Sequence, residues 1–455
     1  MNESSSPPAA GYRAAAAAGT QMFDLVEELY PICRSITGDG VRETLRRVSE
    51  RLPLTVHEVP SGTAAFDWTI PDEWNVRDGY VADLAGNRVI DFQAHNLHVL
   101  NYSEPVDRVV TREELFEHLF TLPDRPDWIP YRTSYYNRNW GFCASANQAA
   151  ELTDDEYRVV VDADLEPGSL TYGEYLKRGR SEEEVLISCH VCHPSLVNDN
   201  LSGIALATEL ARTLEGLDTH YSYRFLFVPG TIGSIAWLSR NEAQTAKIHC
   251  GLVVVCVGDA GAFSYKKSRR GDTVIDRAVL NVLTTTAPDH KVIEFYPYGY
   301  DERQYCSPGF DLAVGSLSRT THGEYPEYHT SADDLSFVSA EQLAGSLDTY
   351  LQVIEVLECD RRYLNLSPKC EPQLGKRGLY GAVGALDQQP IDVMTILWVL
   401  NLSDGEHSLL DISERSGIAF RDLQRAVGAL LASDLLAPAD SAVTDVARIG
   451  GGSGQ

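Results

Sequence analysis

Four short stretches of this chain carry side chains able to hold a metal ion or move a proton. The first is Cys189-His190-Val-Cys192-His193-Pro, followed closely by Asn198-Asp199-Asn200. The second is Pro229-Gly230-Thr231 and the third Gly258-Asp259. The fourth is a segment with His322, Glu324, Glu327 and His329. Neutral imidazole nitrogens and carboxylate oxygens, with one position left open, are the donor set of a catalytic Zn²⁺ site. Such an ion activates water and polarises a carbonyl. Each residue alone has a plainer reading. A loop Asp usually caps a helix or closes a turn, and a lone His is usually a hydrogen-bonded structural residue.

What gathers these stretches is the pattern of elements before them. Apolar runs at 185–188, 223–228, 251–257 and 312–317 read as short buried strands, with a further strand at 291–296. Helical periodicity fills the gaps at 202–214, 232–246 and 273–285, and a closing helix covers 340–357. In the first of these, Ile204, Ala207, Leu210, Ala211 and Leu214 share one face. Alternating strands and helices predict an α/β domain with a mostly parallel sheet flanked by helices. Ligands of open α/β sheets bind beyond the carboxyl ends of the strands. The four stretches follow four such ends, so the sheet brings them to one edge.

The segment Cys189 to His193 also fits the C-x-x-C-H pattern of haem attachment. It sits at a strand end rather than opening a helix, and no second C-x-x-C follows to make a zinc ribbon. Cys189 and Cys192 are read as small packing residues flanking useful histidines.

Around the α/β domain, assigned to 21–55 and 145–360, the texture changes. Residues 1–20 are rich in Ser, Pro and Ala and are expected to be disordered. Helices are expected at 22–30 and 41–51. The stretch 56–144 is rich in Trp, Tyr, Pro, Asn and Asp, with alternating runs such as Asn96-Leu-His-Val-Leu100, and reads as a β-rich insert. A polar linker is expected at 361–378. Beyond it, helical patterns at 391–400, 409–416 and 420–432 suggest a winged-helix-like domain at 370–440, with a flexible tail at 441–455.

Composition bounds the rest. The 455 residues carry 38 Lys plus Arg against 65 Asp plus Glu, a formal charge of -27. That balance repels phosphate and argues against general nucleic-acid or anionic-membrane binding. From Cys370 to Asp440 there are five basic and ten acidic residues, a net of 5 − 10 = −5, where a DNA-reading helix needs a basic face. Packing or homo-oligomer formation is the expected role of this domain. No run of eighteen apolar residues occurs, the N-terminal stretch lacks the pattern of a signal peptide, and the nine cysteines are scattered. The expectation is a cytoplasmic protein with reduced thiols.

At His190, Asn198-Asp199-Asn200-Leu-Ser-Gly203 and His329-Thr330-Ser-Ala-Asp333 the chain resembles the zinc aminopeptidase clan that includes glutaminyl cyclases. A closer resemblance is to the bacterial family of polysaccharide-biosynthesis proteins with an aminopeptidase-like domain. It rests on His190-x-Cys-His-Pro-Ser195, Thr231-Ile-Gly-Ser234, Asp301-Glu-Arg-Gln-Tyr-Cys-Ser-Pro308, Gly323-Glu-Tyr-Pro-Glu-Tyr-His-Thr330 and Cys370-Glu-Pro-Gln-Leu-Gly-Lys-Arg-Gly-Leu379. The likeness covers nearly all of the chain after residue 20. It implies a peptidase-like core, a β-rich insert and a C-terminal winged helix.

The resemblance further implies a zinc-dependent hydrolase acting on an amide bond of a small biosynthetic molecule or peptide. His190, Asp199 and His329 match the ligand positions, Asp259 is a possible further ligand, and one zinc per chain is expected. Family members usually carry Glu where this chain has Gly230, and glycine can neither ligate a metal nor accept a proton. Loss of a general base typically costs about 10²–10⁴ in rate. Glu324, Glu327, His193 and Asp301 are the candidates to replace it. The alternative is a pseudo-peptidase that binds a ligand or partner without efficient turnover.

Overall fold

The computed structural model describes residues 9–379 and 391–439; the expected tail at 441–455 lies outside them. The chain divides into two units. One holds 12–275 with 291–348, and the other holds 276–290, 349 onward and the first eleven residues.

The first unit is built on an eight-stranded sheet. Its strands are β1 (Thr55–Pro60), β2 (Ser169–Lys177), β3 (Glu184–His190), β4 (Ser222–Val228), β5 (Ile248–Val254), β6 (Ser264–Lys266), β7 (Lys291–Ile293) and β8 (Val314–Ser318). They lie in the order β1-β2-β4-β3-β5-β8-β6-β7. β3 runs parallel to both β4 and β5, and β5 parallel to β8. Every residue of β3 and β4 is buried. Their largely apolar sequences, Val185-Leu-Ile187 and Phe225-Leu-Phe-Val228 at their centres, are what strands covered on both faces require. The sheet is parallel in its middle and mixed outside it, since β2 joins β4 and β6 joins β8 antiparallel. The order reverses around β3, and there the fold leaves a crevice at the carboxyl ends of parallel strands.

Several boundaries differ from the sequence reading. A helix, Ala9–Leu29, runs through much of the stretch expected to be disordered. Alanine has the highest helix propensity, so an Ala run is low in complexity without being unstructured. Met22, Leu25, Val26 and Leu29 are buried and anchor the helix. The insert's sheet is Arg88–Asp91, Glu73–Ala82, Glu156–Glu166 and Val106–Thr111, all antiparallel. It thus takes a strand from beyond 144, while Thr55–Pro60 joins the central sheet instead. One hydrophobic cluster joins Trp74, Val81 and Val159 of the insert to Leu186, Leu226 and Val253 of the central sheet. Asn96–His98 is a single 3₁₀ turn, capped by His95, whose ring nitrogen accepts the Leu97 N–H at 3.1 Å.

In the second unit, Asp404–Ser408, Arg362–Asn365 and Leu436–Pro438 form a three-stranded antiparallel sheet with Arg362–Asn365 central. The stretch expected as a linker therefore supplies the middle strand. Helices Val393–Leu402, Leu409–Ser416 and Phe420–Ala432 pack beside it through Ile396, Val399, Leu410, Ile412, Leu423 and Leu430. Ser408 caps the second helix with a reciprocal box to Asp411, and Gly417 ends it in the left-handed region that glycine adopts freely. Among the described residues no helix is long and apolar enough to cross a membrane.

Candidate metal centre

β3 ends at His190, so the strand itself aims this imidazole at the crevice. The turn after it is tied down from outside. The Arg34 guanidinium, fully buried, donates to the His193 carbonyl at 2.8 Å and to the Leu29 carbonyl at 2.7 Å. Burial without a carboxylate pulls that guanidinium down to about 10. Ser195 donates to the Tyr30 carbonyl at 2.9 Å and accepts from Asn96 at 2.7 Å.

The segment Asn198-Asp199-Asn200 shows why its three residues belong together. Asn198 reaches sideways to the loop after β5: its Nδ2 donates to Asp259 Oδ2 at 3.0 Å and its Oδ1 accepts the Gly258 N–H at 2.9 Å. Asn200 does the same one step lower, donating to the Val254 carbonyl at 3.0 Å and accepting the Cys256 N–H at 3.3 Å. The Asp333 carboxylate accepts the backbone N–H of Asn198 at 2.6 Å and of Asp199 at 3.0 Å. With both neighbours and its own backbone occupied, the Asp199 side chain is left to the crevice. Gly203 is required here, because a Cβ would lie 2.3 Å from Asn200 Oδ1.

Around Asp199 the donors converge. Its Oδ1 lies 2.9 Å from His190 Nε2 and 3.7 Å from His193 Nδ1, and its Oδ2 lies 3.0 Å from His329 Nε2. His190 Nε2 and His193 Nδ1 are 2.9 Å apart. His190, His193 and Asp199 form a group close enough to hold one ion. Tetrahedral donors ~2.0–2.2 Å from a zinc ion lie about 3.3–3.6 Å from each other, near these spacings. Asp199 Oδ1 accepts no well-directed hydrogen bond although it is fully buried. Two imidazole nitrogens facing each other across a buried carboxylate oxygen present lone pairs to a common point. A cation at that point satisfies all of them, so the residues fit the metal that the sequence implied.

Aromatic rings hold the imidazoles. Tyr300 stacks on His190 with centroids 4.6 Å apart, Tyr328 on His329 at 3.9 Å, and Tyr131 meets His193 and His329 edge-on. The Tyr300 and Tyr328 hydroxyls are hydrogen-bonded at 3.1 Å. The side chains of His190 and Asp199 are 1% and 0% exposed, His193 11% and His329 32%, so the cluster opens to solvent on the His329 side. Burial holds His193 well below the usual histidine range, in the neutral form a ligand needs. Burial works to raise Asp199, but the surrounding imidazoles outweigh it and hold the carboxylate well below its usual range.

The other predicted residues fall differently. Asp259 is not among these donors. Its Oδ1 accepts from the Thr320 hydroxyl at 2.6 Å and the Gly261 N–H at 2.7 Å, and its Oδ2 from Asn198 and the Thr320 N–H, so it braces the loop. Glu324 is at the surface, paired with Lys291 at 2.9 Å. His193, considered as a proton carrier, lies in the donor group itself. Glu327 is half-buried two positions before His329 and has no partner for its carboxylate among the described residues. Asp301 is fully buried; Ser234 donates to its Oδ1 at 2.7 Å, and burial pushes the carboxyl up to about 6. A Cβ on Gly230 would lie 3.1 Å from His190 Cβ and 3.7 Å from Asp301 Oδ2. Position 230 therefore faces the root of the His190 ring. Arg34, Tyr131, Tyr300 and the bracing role of Asp333 were not singled out from sequence. Only the run Tyr325 to His329 and the spacing of Asp333 from His329 offered a signal.

Residues 23–360 match a family model described as a domain of unknown function (DUF4910), and 361–438 a winged helix-turn-helix. A Clostridium acetobutylicum protein, provisionally named a polysaccharide biosynthesis protein with an aminopeptidase-like domain, is 53% identical over 92% of this chain and 96% of its own. A crystal structure of a provisionally named peptidase from the same organism superposes with a TM-score of 0.89 at 51% identity, covering 94% of this chain and 98% of that one. A zinc aminopeptidase from Bacillus subtilis shares the fold at a TM-score of 0.55 and 14% identity, over 75% of this chain and 94% of its own.

Proposed function

Because the chain belongs to the DUF4910 family and carries an aminopeptidase-like fold followed by a winged helix, we propose that it is a zinc-dependent hydrolase of an amide bond in a small biosynthetic molecule or peptide. The observation that carries this reading is the convergence of His190 Nε2, His193 Nδ1 and Asp199 Oδ1 within 2.9–3.7 Å, with His329 Nε2 3.0 Å from the other Asp199 oxygen on the solvent side. His190, His193 and Asp199 would hold one zinc, with His329 joined to it through the second Asp199 oxygen, and the ion would supply Lewis-acid polarisation of a carbonyl and a water of lowered pKa.

The chain's own groups do the rest. Tyr300 and Tyr328 fix the planes of His190 and His329. Tyr131, buried against His193 and His329, keeps one side of the cluster dry. A proton leaving water or reaching an amine needs a carboxylate beside the cluster. Glu324 is spent in its ion pair and Asp301 sits behind His190, which leaves Glu327, two residues before His329 in the chain, as the acid we assign to that task. The opening at His329 is where a substrate enters. The experiment is metal analysis with an assay on simple amino-acid amides. One zinc per chain is expected, lost in the His190→Ala, His329→Ala double variant, and full retention there sinks the ligand assignment.

A second reading has its own observation. Gly230 leaves no carboxylate at the position where relatives of this kind are expected to carry Glu, and in this reading the protein binds without efficient turnover. Gly230→Glu separates the two. Its Cβ needs the His190 ring to yield by a few tenths of an ångström. A gain of about 10²-fold or more in amide hydrolysis supports the impaired reading. A parent already turning over at about 1–10³ per second refutes it.

A further inference from the structure

We propose that Asp301 is the positioning residue for His190, receiving the Nδ1 proton of that imidazole directly or through one water in the space beside Gly230, so that Nε2 points its lone pair into the cluster. The inference rests on the reading of His190 as a metal ligand. Two buried polar atoms have no partner here, Asp301 Oδ2 and His190 Nδ1. A buried polar atom left unsatisfied is destabilising, so two in one place call for a shared explanation. They are complementary in kind, since a carboxylate oxygen only accepts and Nδ1 carries the proton when Nε2 is a ligand.

They also border the same space. The absent side chain of Gly230 would lie 3.6 Å from His190 Cγ and 3.7 Å from Asp301 Oδ2. Any larger residue at 230 would fill the route between them. The rest of the arrangement orients both groups. The Ser234 hydroxyl engages Asp301 Oδ1 at 2.7 Å and turns Oδ2 free. Tyr300, the residue before Asp301, stacks on the His190 ring with planes 12° apart. One short segment thus sets the plane of the imidazole and addresses its rear nitrogen. Partners of this kind behind metal-bound histidines are typically worth 10–100-fold in metal affinity.

The test is Asp301→Asn. Ser234 keeps donating to the amide oxygen, which leaves the NH₂ facing Nδ1–H, donor against donor. Zinc affinity, measured by chelator competition on the full chain, is expected to fall about 10–100-fold. In zinc-loaded parent protein labelled with ¹⁵N-histidine, the His190 Nδ1 proton is expected downfield and slow to exchange, and this signature is lost in the variant. Unchanged affinity in a folded Asp301→Asn protein overturns the proposal, as does a rapidly exchanging His190 Nδ1 proton in the parent, which needs no variant to fold. A parent that binds no zinc fails at the earlier step and overturns the functional reading with it. Zinc bound equally by parent and variant overturns only the role of Asp301.

Discussion

Replacing Asn198 with Asp changes one nitrogen to an oxygen, yet the structure makes it a pH-dependent lesion. In the parent, Asn198 Nδ2 donates to Asp259 Oδ2 at 3.0 Å, and Asn198 is fully buried while Asp259 is 3% exposed. In Asn198→Asp two carboxylates face each other at that distance, and both cannot readily ionise in a buried site. Carboxylate pairs of this kind typically separate their titrations by about 3 pH units. At about 1.36 kcal/mol per unit, that is roughly 4 kcal/mol against the charged form. The sign follows from linkage. A carboxyl whose folded pKa is raised above its unfolded value of about 3.9 stabilises less as pH rises, by up to about 1.4 kcal/mol per unit, until the raised folded pKa is passed. Below about pH 5 the protonated carboxyl can donate as the amide did, and the variant should approach the parent. Urea unfolding of parent, Asn198→Asp and Asn198→Ala at pH 5 and pH 7 reads this. The Asp variant's deficit should grow by about 2–3 kcal/mol between the two pH values. The Ala variant leaves the Gly258 N–H unsatisfied and should lose a similar amount, about 2 kcal/mol, at both. An Asp-variant deficit that is the same at pH 5 and pH 7 would refute the placement of Asn198 against Asp259.

Three further outcomes are expected. Arg34→Met removes both guanidinium bonds to the His193 and Leu29 carbonyls and should cost about 2–4 kcal/mol in urea unfolding, with a loss of zinc affinity because the His193 turn loosens. Burial holds His95 down at about 4 and lowers His98 as well, so the unfolded chain binds more protons between about pH 6.5 and 4 and stability falls as pH drops through that window. His95→Asn keeps an acceptor for the Leu97 N–H and should flatten that slope by about 3 kcal/mol or less; an unchanged slope would place the pH dependence elsewhere. On helix Phe420–Ala432, Arg421 is paired with Glu355 and Arg425 with Asp422, so duplex DNA should not be retarded at physiological salt, and salt-sensitive retardation would contradict this.

The elements of the central sheet were legible in sequence because β3, β4, β5 and β8 are almost wholly buried and read as short, largely apolar runs. The site's address was legible for the same reason: parallel strands must end at one edge, and His190, Asp199 and His329 follow those ends. Thr55–Pro60 and Ser169–Lys177 were not, since strands toward a sheet flank alternate weakly and are recruited by pairing. The same holds for Arg362–Asn365, four residues whose strand character comes from two neighbours far along the chain. Within the site, sequence could offer donors but not assign their tasks. His193 and Asp259 looked alike as loop residues near a strand end. One turned into the donor group, and the other was consumed by Thr320, Gly261 and Asn198. Side-chain roles of this sort depend on which hydrogen-bond partners other loops bring within 3 Å, and no spacing along a single segment encodes that. Gly230 carries the same lesson. Sequence shows only a glycine there, and the family resemblance an expected carboxylate in its place, whereas the fold sets the gap against His190 and the unpaired oxygen of Asp301, because packing three separate segments defines what an absent side chain leaves behind.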